Sequence, residues 1–537
     1  SLQASKASIV RRHEILRTCY SSDHSGLIPT FKQLILPPMS PAELVPFFPC
    51  NEPFEKVKSF LTSHCSKRPL DLLDGTPPVR FAIASISPQD YLFAVLFHHI
   101  VYDGYAFESL GRELHNLYSA ALKRIQSQTQ ATCDSALASE MLSKIGSQLE
   151  NDEEMEGRLP HLEIQYADYA VWQQRWLEES AEATRQLEFW KDTLMGEDGR
   201  LPVLTIPSDK GRSGNVVVDG HKGGAVEVKI GSEEVRKLRV LGQECGGSTL
   251  FGVMLGLWTI LLSRLNGNDI CCCDEDEEKE GGGREEGKER RKEEGRRKRE
   301  PRGEEEKSDV IVGVPFHGRT KREVEGLVGY FVKVLPVRNR VKMNERLGDV
   351  LKRVRDNYLA CIANSDIPTP SIANVLRRAS DPSVGSFFQA MFSLDSVIPT
   401  LPIPGISAQL LSPQSESALV DLSLEFVEDK DNLRGKLVYN SGLFDPASVA
   451  QYARAFETLV KQATQPGSLD LPLKHLTMVS TEMKLLLDQW AGEASSRSFT
   501  RSLSVPLLHH IVQRTCTSSP DLIALVYGRS SSSSHKW

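Results

Sequence analysis

Two adjacent histidines are the residues best suited to acid–base chemistry in this 537-residue chain. His98 and His99 follow the apolar run YLFAVLF (Tyr91–Phe97), and Asp103 and Gly104 come shortly after them. A neutral imidazole can accept a proton near pH 7, and a carboxylate at a turn can cap a helix or pair with a cation. The same residues also fit an ordinary turn between a strand and a helix, so the pattern alone leaves both interpretations open.

A strand and a helix must position these side chains. The apolar run predicts a buried strand over Tyr91–Phe97, and strand alternation directs His98 and His99 to opposite faces. The amphipathic stretch that follows predicts a helix over Ala106–Leu122, and Gly104 before it suits a positive φ or a close backbone approach. One imidazole would then face a surface or channel while the other supports the strand.

Composition excludes several classes of protein. A hydrophobic content of 40% and a charged content of 25% are ordinary for a globular chain. The net charge of −7 argues against a nucleic-acid binder, and no apolar run is long enough to span a bilayer. The ten cysteines include no CxxC pair, so neither a zinc site nor a disulfide framework is expected. These features favour the reducing cytoplasm as the compartment.

Strand and helix signals alternate along the chain, which predicts α/β architecture with open sheets flanked by helices. Strands are predicted over Val79–Ser85, Tyr91–Phe97, Gly224–Ile230, Val310–Val314, Ala408–Leu411, Leu422–Glu428 and Leu433–Tyr439. Helices are predicted over Ser5–Arg17, Phe54–His64, Ala106–Leu122, Gln165–Glu179, Ala181–Leu194, Ser232–Glu244, Thr249–Leu265, Leu347–Asn364 and Pro446–Gln462.

One segment lacks the composition of a packed domain. Glu, Lys, Arg and Gly dominate Cys271–Ser308, which cannot bury enough apolar surface to offset its ordering entropy. It interrupts a predicted helix and a predicted strand that a short turn could join. We interpret it as a disordered insertion in a loop, or as retained non-coding sequence in a gene model.

The pattern HHxxxDG of His98–Gly104 resembles the active-site signature of the chloramphenicol-acetyltransferase-like superfamily. Within it, the chain resembles the condensation domain of nonribosomal peptide synthetases. That resemblance is carried by RHEILRTCY (Arg12–Tyr20), YADYAVWQ (Tyr166–Gln173), GVPFHGR (Gly313–Arg319), GYFVKVLPVR (Gly329–Arg338), FFQAMFSL (Phe387–Leu394) and the segment Val420–Asp445. Departures are Lys333 where the family usually has Asn, NSDIPTP where it has HQDxPF, and a start inside the family's pattern, without its first strand.

The resemblance implies two acetyltransferase-like lobes in a V-shaped pseudo-dimer, each a mixed sheet flanked by helices. The N-lobe would span residues 1–200 and the C-lobe 201–475, with the charged insertion 271–308 inside the C-lobe. A linker would follow over 476–505. Residues 506–537 resemble the truncated start of an adenylation domain.

The resemblance also implies a function, amide-bond formation between a donor acyl or peptidyl thioester and an acceptor aminoacyl thioester. Upstream and downstream carrier proteins would deliver both substrates on phosphopantetheine arms, beside an adjacent adenylation domain. No cofactor or metal would bind directly, and neither nucleic acid nor a membrane would be a partner.

Site roles follow from the same resemblance. His99 would take a proton from the attacking amine, or position that amine and stabilise the charged tetrahedral intermediate. His98 and Asp103 would fix the backbone and the ring orientation. Gly104 would permit the turn. Arg319 would pair with Asp103 across the two halves of the molecule, and Arg17 would support the site.

Two other functions stay open at this point. The first is a free-standing acyltransferase of the same fold that uses acyl-CoA. The second is a non-catalytic fragment or scaffold that docks carrier proteins. Epimerisation is a lesser alternative, and heterocyclisation is disfavoured because that relative usually has Asp in place of the first histidine.

Overall fold

The structure is a computed structural model. It describes residues 8–23, 30–38, 47–49, 52–66, 70–87, 89–129, 159–196, 199–210, 222–266, 307–379, 388–396, 405–409, 411, 417–429, 432–480 and 483–485. The chain separates into two units, Ser1–Leu476 and Thr477–Trp537. All strands and helices named below belong to the first unit. None of the described helices combines the length and the hydropathy needed to cross a membrane.

The N-terminal half carries a small sheet between helices. In chain order its elements are β1 (Thr18–Asp23), β2 (Thr30–Ile35), β3 (Phe47–Pro49), α1 (Phe54–Ser66), β4 (Val79–Ser85), β5 (Tyr91–Phe97), α2 (Gly104–Thr129), α3 (Tyr166–Glu179) and α4 (Ala181–Leu194). β1 and β2 form an antiparallel hairpin, while β4 pairs in parallel with β3 and antiparallel with β5. Alternate residues of β4 and β5 face a core with α2 on one side and a core with α1 on the other.

β5 has the predicted bounds but not the predicted burial. Among the described strands it pairs with β4 alone, so it lies at the edge of its sheet. Tyr91 is 57% exposed and Val95 37%. An apolar groove, partly open to solvent, runs between β5 and α2, with Phe93 and Phe107 in its lining. The expectation of a fully buried strand is therefore wrong for the described part of the chain.

The C-terminal half is built on a larger sheet. Its elements are β6 (Gly223–Ile230), α5 (Ser232–Glu244), α6 (Leu250–Leu265), β7 (Lys307–Phe316), β8 (Lys333–Lys342), α7 (Leu347–Ala363), α8 (Thr369–Ala379), β9 (Ala390–Ser396), β10 (Leu422–Asp429), β11 (Asn432–Asn440) and α9 (Pro446–Ala463). Among the described residues the sheet has six strands in the order β6-β11-β10-β9-β7-β8. β9 runs parallel to β10 and β7, and the other pairs are antiparallel, so the sheet is mixed.

α6 is the central helix of this half. It begins after Thr249, whose hydroxyl accepts a hydrogen bond from the Gly252 amide and caps the first turn. Its residues are almost all buried, as a helix with apolar residues on every face requires, and the hydroxyls of Thr259 and Ser263 bond to carbonyl oxygens of the same helix. Gly256 permits close packing on α7, because a Cβ there would lie 2.4 Å from Cδ2 of Leu351.

The predicted fold class, mixed sheets flanked by helices, is confirmed. The bounds of β4, β5, α4 and α5 match the predicted ones. Sequence patterns did not predict the strands β1, β2, β3, β8 and β9 or the helix α8, all of which form. A predicted strand over Ala408–Leu411 is wrong where it is described, since Ala408 and Gln409 lie outside any strand.

Two boundaries need correction. The predicted helix Ser5–Arg17 is helical over residues 8–12 and breaks at His13, whose backbone is extended and whose ring is held by Glu113 of α2. The predicted insertion extends too far, because Lys307 and Ser308 already belong to β7. The remainder of the insertion and the adenylation-like segment 506–537 lie outside the described residues.

Candidate active site

A short turn after β5 places the two histidines. β5 ends at Phe97, and a single 3₁₀ turn over His99–Val101 follows. His98 stands before this turn, and its Nδ1 accepts a hydrogen bond of 3.1 Å from the Ile100 amide. The different orientations of the two rings therefore come from the turn rather than from strand alternation, which corrects the expectation. His98 is engaged in holding the backbone that carries His99.

His99 presents a defined nitrogen. Its Nδ1 lies 2.7 Å from the Tyr102 carbonyl oxygen. A carbonyl can only accept, so Nδ1 carries the proton, and in the neutral ring Nε2 keeps its lone pair. The exposed ring also packs edge-to-face on Tyr330, with centroids 5.1 Å apart and planes at 90°. No other described residue bonds to Nε2, so this atom is available to accept a proton from a substrate.

Asp103 is buried and collects five hydrogen bonds. Its Oδ1 accepts from the Ala106 amide at 2.9 Å, which caps the first turn of α2. Its Oδ2 accepts from the amides of Phe331 and Val332 at 2.9 and 3.2 Å. The last two bonds come from Arg319. One carboxylate thus joins α2 to the segment before β8.

Arg319 meets Asp103 in a bidentate pair. The two N–O distances are 2.8 and 3.0 Å, and both side chains are at most 1% exposed. The guanidinium also lies 4.7 and 4.4 Å from the ring centroids of Tyr105 and Phe331. Gly318 before it has a φ of +68°, and a Cβ there would lie 2.0 Å from the Phe331 carbonyl oxygen. The predicted pair of Asp103 and Arg319 is present. The backbone before the arginine has room only for a glycine at position 318.

Aromatic residues of α3 fix the loop that carries Tyr330. The Tyr166 hydroxyl donates to the Tyr330 carbonyl at 2.9 Å, and the Tyr169 ring packs on Phe331. A Cβ on Gly329 would lie 2.2 Å from the Tyr166 ring. The segments YADYAVWQ and GYF therefore interlock, and through Tyr330 they reach the ring of His99.

Gly104 does not have the role expected of it. It is the exposed first residue of α2, its φ is not positive, and a Cβ would meet nothing within 4 Å. The 3₁₀ turn and the cap by Asp103 have already redirected the chain, so no special backbone conformation is needed there. Its lack of a side chain instead leaves open space beside Asp103.

Arg17 makes its described hydrogen bonds outside the site. Its guanidinium donates to the Leu36 carbonyl at 2.6 Å and to Glu14 at 3.3 Å. Those contacts join the end of β2 to the turn before β1. The expectation that Arg17 supports the site is not met among the described hydrogen bonds, because its two partners flank the hairpin of β1 and β2.

The neighbouring Arg12 and His13 do bind α2. Arg12 Nε and His13 Nε2 lie 2.9 and 2.8 Å from the two carboxylate oxygens of Glu113. Burial raises the pKa of Glu113, but the bonds from His13 and Arg12 outweigh it and hold that pKa below its ordinary value. This segment therefore braces the helix that Asp103 caps.

Lys333, the departure from the family's Asn, is buried beside the site. Its Nζ donates to the carbonyl oxygens of Ser365 and Asp366 at 2.6 and 2.8 Å. Burial lowers the pKa of Lys333 to about 8, although the Asp366 carboxylate opposes that shift. The Asp366 side chain in turn accepts from Thr320 at 2.9 Å. Sequence reasoning noted the substitution but gave no signal for these partners.

Among the described residues, no three His, Cys, Asp or Glu side chains are grouped so that they could hold a metal ion.

Comparison with known proteins decides the family. The family model described as the condensation domain matches residues 1–134, 139–275 and 305–487. This chain belongs to the condensation-domain family. The match omits residues 276–304, which lie within the charged run. Condensation domains of nonribosomal peptide synthetases form peptide bonds, which is an acyl transfer.

Curated relatives are much longer proteins. Tyrocidine synthase 3 of Brevibacillus parabrevis is 27% identical over 496 residues, which cover 91% of this chain and 6% of that protein. Malpibaldin synthetase of Mortierella alpina is 26% identical over 528 residues, 97% of this chain and 8% of that protein. The chain spans less than a tenth of each of these two relatives.

Solved structures share the fold. The X-domain from teicoplanin biosynthesis aligns with a TM-score of 0.64 at 20% identity and covers 88% of this chain and 89% of that chain. The condensation domain of the monacolin K polyketide synthase aligns with a TM-score of 0.61 at 16% identity, covering 87% and 90%.

Proposed function

We propose that this condensation domain joins a donor acyl or peptidyl thioester to an acceptor aminoacyl thioester. Both substrates would be held on the phosphopantetheine arms of an upstream and a downstream carrier protein. The single observation that carries this proposal is the state of His99. Its Nδ1 is fixed as a donor to Tyr102, so Nε2 is left as an exposed acceptor.

The reaction needs one proton acceptor at a defined place. The acceptor amine attacks the donor thioester carbonyl, the N–C bond forms, and one N–H proton passes to Nε2 of His99. The tetrahedral intermediate then collapses, the C–S bond breaks, and the thiolate takes up the proton. A neutral imidazole can accept a proton and return it at neutral pH, so it is suited to both transfers.

Three other residues would hold His99 in place without touching the reacting atoms. His98 caps the turn through the Ile100 amide, and Asp103 joins that turn to the Arg319 side. Tyr330, which contacts the His99 ring, is next to Phe331, whose amide donates to Asp103. These are positioning residues. Gly104 would leave room for the acceptor arm, since a Cβ there would enter open space.

The same proposal includes the position of this domain within a longer multidomain protein. Residues 506–537 would begin an adenylation domain, and the cytoplasm would be the compartment. The four described cysteines are free and buried, which agrees with a reducing environment. Lobe bounds of 1–200 and 201–475, with residues 271–306 as an insertion, complete the proposed organisation.

A reconstitution assay tests the function. The domain is mixed with two loaded carrier proteins, and the amide product on the acceptor carrier is followed by intact-protein mass spectrometry. The proposal expects an amide from the carrier-bound donor and little from the same acyl group on coenzyme A. Turnover of acyl-CoA at an equal rate would favour a free-standing acyltransferase, and no product from either donor would favour a scaffold.

A further inference from the structure

A second exposed imidazole is built into the same site. His317 follows the end of β7 and precedes Gly318 and Arg319. It is exposed, unlike the buried arginine two residues later. Within GVPFHGR the family resemblance assigns a role to the arginine alone, and the proposed reaction gives His317 none.

Local contacts fix the tautomer of His317. Its Nδ1 accepts a hydrogen bond of 3.1 Å from the Arg319 amide. Because Nδ1 is the acceptor, the neutral ring carries its proton on Nε2. Burial and the Arg319 charge lower the pKa of His317, with Asp103 opposing them, so the neutral ring is favoured at pH 7. His317 is thus the complement of His99, since it presents an N–H where His99 presents a lone pair.

Ring contacts also fix the orientation of His317. It stacks on Tyr105 with centroids 5.9 Å apart and packs on Phe316 at 4.5 Å. Tyr105 itself covers the guanidinium of Arg319 and follows Gly104, where a Cβ would meet nothing. The Nε2–H donor has no partner among the described residues. A donor that is held in place, exposed and without a described protein partner can bind an acceptor oxygen of a ligand.

We propose that His317 donates its Nε2–H to a carbonyl oxygen of the carrier-borne substrate. Such an oxygen occurs both in the acyl group and in the amides of the phosphopantetheine arm. This inference rests on the proposed function for the class of ligand. In it His317 binds and orients the substrate, and it transfers no proton.

Two variants separate this role from folding. His317→Asn retains a side-chain oxygen that can accept the amide two residues on, as Asx turns do, but its own N–H donors lie closer to the backbone than the imidazole Nε2–H and cannot reach as far. His317→Phe retains the ring against Tyr105 and removes both nitrogens. His475→Asn is the matched control, because His475 is exposed and lies outside the site.

The probes are pantetheine and an N-acyl-aminopantetheine, in which an amide replaces the reactive thioester. Binding to the full chain is measured by calorimetry, and histidine-selective ¹⁵N NMR reports the imidazole nitrogens. We expect the free protein to show His317 protonated on Nε2 and to shift that signal on binding. Both His317 variants should bind about tenfold more weakly, the loss of one hydrogen bond, and the control should bind as the unmodified chain does.

The two probes identify the source of the oxygen. A loss seen with both probes assigns it to the arm, and a loss confined to the acylated probe assigns it to the acyl group. Unchanged affinity in both variants, an Nδ1-protonated His317, or no binding of either probe to the unmodified chain would overturn the proposal. A chain that binds through His317 but forms no amide would instead contradict the proposed function alone.

Discussion

Removing either member of the Asp103–Arg319 pair should destabilise the fold, and by unequal amounts. Asp103→Ala leaves a guanidinium buried without its carboxylate and also removes the acceptor of three backbone amides. Arg319→Met keeps those three amides on Asp103, so the carboxylate stays partly satisfied. Breaking a buried ion pair costs about 3–5 kcal/mol. We therefore expect about 5 kcal/mol for Asp103→Ala and about 3 kcal/mol for Arg319→Met.

The double variant isolates the interaction between the two side chains. Because neither charge is stranded in it, its cost should fall below the sum of the single costs by about 2 kcal/mol or more. The assay is urea unfolding followed by tryptophan fluorescence and by circular dichroism. A matched cycle on Arg346 and Asp470, an exposed pair 3.4 Å apart, should show almost no coupling.

Two results would refute this reasoning. If the double-variant cycle is additive within about 0.5 kcal/mol, the two side chains do not interact in the folded protein. If Arg319→Met costs more than Asp103→Ala, the backbone amides of Phe331 and Val332 do not depend on Asp103 as the geometry requires.

Three further outcomes are expected. Deleting residues 271–306 should leave the melting temperature unchanged or slightly higher, because Asn266 and Ser308, which flank that stretch, are joined by a side-chain hydrogen bond of 3.4 Å and a short loop can connect them. Calorimetry checks this, and an unfolded product would contradict it. Lys333 has a pKa of about 8 in the folded chain and about 10.4 in the unfolded chain, so the unfolded chain binds more protons between these two values. As the pH rises through this window, the unfolding free energy of the unmodified chain should therefore increase by up to about 3 kcal/mol relative to that of Lys333→Met. A difference in unfolding free energy that stays constant between about pH 7.5 and 10 would argue against this prediction. Gly104→Ala should keep its melting temperature but lose condensation rate, since the new methyl group enters open space at the site; an unchanged single-turnover rate would mean that no substrate passes there.

The spacing of apolar residues in the sequence correctly predicted the elements that bury one face at a regular interval. α4 and α5 follow this pattern, and their bounds match. β8 does not, because it buries Arg338 and Asn339 within the strand. Arg338 is satisfied there by Asp309 and by the carbonyl oxygens of Thr193 and Met195. Such partners come from distant parts of the chain, and a local pattern carries no information about them.

In the candidate site too, local sequence predicts some features, whereas others depend on contacts between distant parts of the chain. The turn after β5 could be predicted from the apolar run and the residues that end it. The pairing of Asp103 with Arg319 could not, because 216 residues separate them and only the family resemblance suggested it. Arg17 and Gly104 were assigned roles by motif membership, and the structure gives Arg17 other partners and Gly104 an ordinary backbone. His317 gave no signal in sequence, since its tautomer depends on a backbone amide.

The most direct test of the central claim is the single-turnover rate of His99→Ala with both carrier proteins loaded. The His99 side chain is exposed, with one hydrogen bond to the Tyr102 carbonyl and one ring contact with Tyr330, so the variant should fold with an almost unchanged melting temperature. Loss of a general base predicts a rate at least about a hundredfold lower, with His475→Ala at the unmodified rate as control. A folded His99→Ala variant that forms the amide within about threefold of the unmodified rate, far short of the loss a general base entails, would contradict the account.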